Sequence, residues 1–471
     1  MTSRPTGATT DLTVRLGDDV WRYDGDTVLV GGAPVRVMKL TRAAAARIDG
    51  DRVRPTDAVS GRLALRLLDA GLAHPHPDDL PPADLADLTV VIPVHGRSAS
   101  LARVLDGLRG VRVIVVDDGS EAEDAALLRD VVTRAGAELV RLDENRGPAT
   151  ARNRGLAKVE TPFVAFVDSD VVVAPDALER LLRHFADPGL AVVGPRIAGL
   201  EDDPTWVSRY ENARSSVDLG RRPALVRPRS PVAWMSSTCL IARRSALAEG
   251  FTTGMRVAED VDLVWRMAEA GWRVRYEPSV TVAHEHRRRL RPWFARKLFY
   301  GTGAADLATR HPDAIPPAIL RPWSAAAAAA LLCARWWSLP VAAILTGGAA
   351  WRLARRLQVP DGARVLPLRL AAGGLVGAMT QASALALRHW WPVGAVAAVL
   401  SRRFRIGLAA MAVIDAVVEH RRLKADLDIV RFTVLRRLDD IAYGTGVWWG
   451  AFRRRSLRAL RIELRPRRRE R

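Results

Sequence analysis

Residues 88–120 read LTVVIPVHGRSASLARVLDGLRGVRVIVVDDGS, and this stretch decides the fold class. LTVVIPV (88–94) and the run ending VIVVDD (113–118) are short, β-branched and apolar until the final aspartates. LARVLDGLRG between them has the spacing of an amphipathic helix. The alternation continues outward. EDAALLRDVVTRAG predicts a helix, AELVRL a strand, PATARNRGLAKV a helix and PFVAFVDSD a strand. Continuous apolar strands separated by helices predict a mostly parallel, Rossmann-like α/β sheet covered on both faces.

Two regions of different character flank this core. In residues 1–80, VWRYDGDTVLVGGAPVRVMKL predicts short strands broken by Asp-Gly and Gly-Gly turns. A helix capped by Thr41 and a second ending near Gly71 complete a small winged-helix-like α+β domain. The Pro- and Asp-rich run through residues 81–87 reads as a linker. The core is expected to extend over 88–310. Residues 318–471 are Ala-rich and apolar in runs (324–351, 371–387, 390–400, 406–418) separated by arginines. Most runs are interrupted or shorter than the roughly 20 apolar residues a spanning helix needs. Core helices of a bundle are one reading. Paired tryptophans at the run ends (Trp336, Trp337; Trp390, Trp391) and the polybasic tail favour the other, membrane association.

Chemistry concentrates where strands end. Ligands of open α/β sheets bind outside the carboxyl ends of the strands, which is where Asp117 and Asp118 fall. Asp168 and Asp170, two apart after another strand, point to one side if the extended conformation persists. Such a pair suits Mg²⁺ or Mn²⁺ completed by phosphate oxygens. Asn145, Arg146 and Gly147 precede Pro148 at a helix start, an arrangement that favours anions, with Arg152 one turn on. Glu259, Asp260 and Asp262 open a further helix. Acidic residues there complement the helix dipole, yet Asp260 is also placed to take a proton from an acceptor hydroxyl, with Glu259 orienting it or raising its basicity.

In their order, VVIPVHGR, VIVVDDGS, FVAFVDSD and AEDVDLVWR resemble the family 2 glycosyltransferases with the GT-A fold over residues 88 to 287. The resemblance implies that Pro93 ends the first strand and that the following loop, with His95 and Arg97, contacts the nucleotide. It implies that Asp118, beside Asp117, holds the base, usually uracil. Asn145, Gly147, Arg152 and Asp168 would complete the nucleotide-sugar site. Asp170 would be the firmer metal ligand, with Asp168 and His284 beside it, and Asp260 the base of an inverting transfer. Trp234, Trp265, Arg266 and Trp293 are the candidate acceptor contacts. RRRLRPWF departs from the Gln-x-x-Arg-Trp motif of processive relatives, since Pro292 separates Arg291 from Trp293. The first 80 residues resemble PqqD-type domains that recognise precursor peptides. The whole arrangement resembles the mycofactocin-system glycosyltransferases, implying UDP-glucose as donor and a peptide-derived acceptor. A transferase for cell-envelope polysaccharide or glycolipid is the alternative.

Charge and cysteine content narrow the setting. Lys and Arg number 71 against 52 Asp and Glu, a net charge of +19, and residues 402–471 hold 19 basic and 8 acidic residues. Trp448, Trp449 and Phe452 sit beside apolar runs and do not interleave with this basic cluster, so nucleic acid is not expected as a partner. The loop PVHGRSAS lacks the Gly-rich, Lys-bearing pattern of nucleotidyltransferases. Cys239 and Cys333 make no disulfide framework, and residues 1–19 contain no apolar leader segment. The expected location is the cytoplasmic face of the cell membrane.

Overall fold

The computed structural model describes residues 9–173, 176–200, 204–314, 317–357 and 363–464. Much of the basic tail lies outside the described residues. The chain forms two compact units, one of residues up to 203 with 214–286, the other of 204–213 with 287 onward.

The first unit opens with strands β1 (Val14–Leu16), β2 (Trp21–Tyr23), β3 (Val28–Gly31) and β4 (Arg36–Lys39), helix α1 (Arg42–Ala45), β5 (Arg52–Val53), α2 (Ala58–Ala70) and β6 (Ala73–His74). They form two three-stranded sheets, ordered β5-β1-β6 and β2-β3-β4. Thr41 caps α1, which lasts only one turn, whereas α2 has a reciprocal Asp57–Ser60 cap and a left-handed Gly71 at its end. Leu63, Leu67 and Leu68 of α2 bury against Val14, Leu29 and Val53.

The expected linker is a docked segment. Pro77 and Leu80 are buried, and Ala83 and Leu85 pack on the core of the following domain. The Ala83 N–H donates to Glu179 (3.2 Å), and Asp79 and Asp78 pair with Arg15 (2.6 Å) and Arg180 (3.5 Å). Composition suggested a loose tether because proline and aspartate dominate it, but its few apolar side chains all find a surface.

The large sheet uses β7 (Leu88–Val94), β8 (Arg112–Asp118), β9 (Glu138–Leu142), β10 (Phe163–Val167), β11 (Val171–Val172), β12 (Leu190–Gly199), β13 (Ala224–Leu225), β14 (Cys239–Arg243) and β15 (Arg273–His284). Helices α3 (Ser98–Asp106), α4 (Ala122–Arg134), α5 (Pro148–Leu156), α6 (Ala177–Leu182) and α8 (Glu259–Glu269) alternate with the strands, and α7 (Trp206–Arg214) belongs mainly to the second unit. The order is β11-β15-β12-β14-β10-β7-β8-β9, with β13 beside β15. Strands β9, β8, β7 and β10 are parallel, but β14 runs against β10 and β12, and β11 and β13 run against β15. The sheet is therefore mixed and not mostly parallel. Parallel neighbours need a crossover, and the chain enters β11 through a three-residue corner and β14 through an irregular segment, neither of which supplies one.

The second unit consists of α7, α9 (Leu290–Arg310), α10 (Pro322–Leu332), α11 (Ser338–Leu357), α12 (Leu366–Ala384), α13 (Trp391–Leu400), α14 (Arg402–Leu423) and α15 (Ile429–Arg453). A π-helical turn, Leu385–His389, continues α12. The boundary falls after His286 and not near residue 310, because α9 packs along α15. A Cβ on Gly301 would lie 2.1 Å from the Tyr443 carbonyl oxygen, and one on Gly446 2.0 Å from that of Leu298, so bare backbone is required at both.

In the first unit, Arg273 at the start of β15 reaches Asp69 of α2 (2.7 Å) and the buried Asp187, which Arg275 also approaches (3.5 Å). Removing one partner of a buried pair strands the other charge. Arg273→Ala is expected to cost about 3 kcal/mol, read as a lowered denaturation midpoint, and Asp69→Asn much less, since Asp69 is part-exposed.

Candidate active site

The nucleotide-side loops are braced by backbone. Asp118, at the end of β8, accepts from the N–H groups of Arg146 and Gly147 (2.9 Å each), one to each carboxylate oxygen. Asp117 accepts from the Ser120 N–H (3.0 Å) and hydroxyl (2.5 Å) and faces Arg141 at 3.4 Å. Ser120 in turn receives the Gly96 N–H (2.8 Å), and His95 Nδ1 lies 3.1 Å from the Asp118 carbonyl oxygen. Gly119 has φ 69°, and a Cβ there would stand 2.3 Å from the Glu144 carbonyl carbon. The 144–147 segment therefore crosses directly over the Asp-Asp-Gly-Ser turn. Pro93 is half-buried opposite Val116, while His95, Arg97 and Asn145 are exposed around the brace. Gly147 precedes Pro148 at the start of α5, as the sequence indicates.

Strand β10 ends at Val167, and Asp168–Asp170 turn the corner into β11. The two carboxylates are held by different arginines. Asp170 receives Arg97 (2.5 Å), whose side chain is about half exposed, and stands 3.6 Å from His284 Nε2. His284 faces Val171 across the β11–β15 pairing, and its Nδ1 lies 3.4 Å from that of His286. Asp168 receives Arg152 Nη2 (2.7 Å). Arg152 does not extend toward a phosphate site. It is buried, its Nη1 donates to Glu259 (2.8 Å), and its guanidinium covers the Phe251 ring at 5.4 Å. Burial opposes its charge, but Asp168, Glu259 and Asp260 outweigh that and keep it protonated.

Glu259 and Asp260 open α8 behind Ala258, which is itself left-handed at φ 65°. Asp260 accepts from the N–H groups of Val261 (2.8 Å) and Ser237 (3.2 Å). Burial and then the charge of Glu259 push Asp260 up to about 7, against the pull of Arg152 and the two N–H groups. The carboxyl is densely surrounded, although the residue keeps partial exposure. Such a group exchanges protons near neutrality, as a general base must.

The acceptor contacts fare differently. Trp234 is half-buried on the segment before β14. Trp265 is buried and donates to the Ala233 carbonyl (2.7 Å), holding that segment from below. Arg266 is buried against Asp262 (2.9 Å) and the Gly250 carbonyl (2.6 Å). Trp293 lies in the core of the second unit with Tyr210 and Phe432, its Nε1 donating to Glu211 (2.8 Å). None of these last three is free to stack on a sugar, because each indole or guanidinium already satisfies buried partners. Sequence reasoning passed over Ser237, Phe251 and His286. The His-x-His alternation on an extended strand was the one available signal for the last, and Ser237 and Phe251 carried none.

A family model, Glycosyl transferase family 2, matches residues 89–251. The chain is 43% identical over 464 residues to the pre-mycofactocin glycosyltransferase of Mycobacterium tuberculosis (strain ATCC 25618 / H37Rv), covering 94% of this chain and 96% of that one. The chain belongs to glycosyltransferase family 2. As a family 2 glycosyltransferase it carries the GT-A fold on the mixed sheet described above. It is also 27% identical to an O-antigen chain rhamnosyltransferase of Salmonella typhimurium, over 46% of this chain and 71% of that one. Among solved structures, a Pyrobaculum calidifontis mannosyltransferase in complex with GDP-Man and Mn2+ is similar over 66% of this chain and 88% of its own, at 23% identity and a TM-score of 0.39.

The donor set at the corner fits a hard divalent cation. Asp170 and His284 converge from facing strands, and Arg97, the exposed cation on Asp170, is the group such an ion would displace. No cluster of three or more ligating side chains occurs among the described residues, so phosphate oxygens would fill the remaining positions.

Three results are expected. Asp260→Asn lowers kcat by roughly 10²–10⁴-fold. The carboxyl is raised from 3.8 to about 7, so its contribution to stability is complete below the lower value and lost as pH rises through the upper one. The same variant therefore gains more Tm at mildly alkaline than at mildly acidic pH. In pH–rate profiles kcat/KM rises through neutrality, and Glu259→Gln moves that limb to lower pH, because a like charge has gone.

Proposed function

We propose that the protein is an inverting hexosyltransferase that moves glucose from UDP-glucose to the peptide-derived mycofactocin precursor at the cytoplasmic face of the cell membrane. The observation that carries this reading is the likeness to a pre-mycofactocin glycosyltransferase over nearly the whole of both chains. It extends through the first 80 residues, which the proposal assigns to holding the acceptor peptide.

The Asp117–Ser120 turn and the 144–147 segment receive the nucleoside. Asp260 accepts the proton of the attacking acceptor hydroxyl while the new C1–O bond forms and UDP leaves from the opposite face, inverting the anomeric carbon. Glu259 keeps Asp260 basic enough for that transfer, and Arg152 fixes Glu259 relative to Asp168. Asp170 with His284 would hold Mg²⁺ or Mn²⁺, and such an ion supplies charge neutralisation for the diphosphate. Support for the metal comes from this donor chemistry, and support for the base from the pKa of Asp260.

The test is incubation with UDP-glucose, UDP-galactose or GDP-mannose, each with Mg²⁺, Mn²⁺ or EDTA, and a precursor-derived acceptor. Expected are UDP release, a mass gain of one hexose and a β-anomeric product by NMR, from UDP-glucose alone and only with metal. Equal use of GDP-mannose would overturn the donor assignment, and full activity in EDTA the metal.

A further inference from the structure

The second unit exposes apolar surface that its own packing leaves uncovered. In α14 only Ala416 of 22 residues is buried, and in α13 only Gly394 of 10. Val393, Val396, Val399 and Leu400 follow one another on one side of α13, with Val399 and Leu400 at 79% and 81% exposure. In α14, Ile406, Val413 and Ile414 are exposed on one stripe, with Ala410 between them by the same periodicity. Exposed apolar surface this continuous marks a binding surface.

The charges say what covers it. Arg403 and Arg421 are eighteen positions apart, which is about five turns of helix, so they bracket the apolar stripe on its own side; both are exposed. Asp415 lies round the helix from the stripe and pairs with Arg436 (3.2 Å) and Arg437 of α15, which fixes that face against protein. A stripe facing outward, apolar in its middle and cationic at both ends, matches hydrocarbon between anionic headgroups. It does not suit a spanning path, since Arg405, Asp415 and Glu419 interrupt the segment. Leu366–His389 is long and apolar enough to cross a membrane by length and composition. Its Gln381, however, accepts the Ile319 N–H (2.7 Å), tying that helix to the neighbouring chain.

We infer that α13 and α14 lie in the plane of one leaflet of an anionic phospholipid bilayer, with Arg403 and Arg421 on the headgroups and both ends of α14 on the same side of the membrane. This rests on the membrane location proposed above and specifies its geometry.

The experiment is flotation of the full chain with phosphatidylcholine vesicles, with and without one quarter phosphatidylglycerol. Binding is expected to be stronger with the anionic lipid. The double variant Val399→Asp, Ile414→Asp, altered only at exposed positions, is expected to lose flotation while keeping its circular dichroism and its UDP release. Arg403→Gln with Arg421→Gln is expected to weaken binding to the anionic vesicles by about tenfold or more. For topology, Cys239 is buried and Cys333 exposed, so Cys333→Ser leaves a background for Arg402→Cys or Arg422→Cys. An impermeant maleimide added outside sealed vesicles is expected to label both positions. Labelling of one with protection of the other shows a spanning helix and overturns the in-plane geometry alone. Absence of flotation in the parent protein, with self-association through the same face, overturns the membrane location as well. Loss of UDP release in the parent would count against sugar transfer, independently of flotation.

Discussion

Arg152 is the group on which the catalytic centre depends. One buried guanidinium from the glycine-led helix α5 reaches Asp168 at the end of β10 and Glu259 at the start of α8. Three separate pieces of chain are thereby held in register by a planar fork with fixed spacing, something a lysine could not do. The bridge also sets the electrostatics. It leaves Asp168 and Glu259 ionised in a buried setting, and the Glu259 charge works with burial to raise its neighbour Asp260. A carboxyl of ordinary acidity would be a weak base for a sugar hydroxyl. Here the chain builds a stronger one from two adjacent acidic residues and lets a distant arginine take up the cost of only one of them.

The sheet supports this arrangement through its change of direction. β10 ends where Asp168 begins, and the corner into β11 delivers Asp170 beside His284 at the far end of β15. A wholly parallel sheet would have sent the chain away into a helix at that point. The reversal keeps both carboxylates within one small volume while giving each its own arginine, one buried and permanent, the other exposed and replaceable.

Much of this was legible in the residues. Apolar runs ending in aspartate located the strand ends, and the order of four weak motifs outweighed any one of them. The α5 start at Pro148 and the α2 end at Gly71 follow from local backbone chemistry. What escaped the sequence depended on contacts between distant segments. An arginine one turn into a helix suits a phosphate or a carboxylate equally, and only the fold places Arg152 between two carboxylates. Trp293 carries the same letter whether it meets a sugar or Glu211. The docking of residues 77–87 rests on Pro77, Leu80, Ala83 and Leu85, a minority within a run whose proline and aspartate suggest freedom.

That docked segment has a consequence for how an acceptor is presented. A loose tether would let the first 80 residues wander, and whatever they held would sample the catalytic centre at a concentration set by chain statistics. Pinned through Asp78, Asp79 and Ala83, and again by Asp69 on Arg273, the first domain stands at a fixed distance from Asp260. The assembly then works as a ruler. A guest anchored on the first domain must have a definite reach to bring a hydroxyl to the base, so its length, as much as its chemistry, determines whether it is glycosylated.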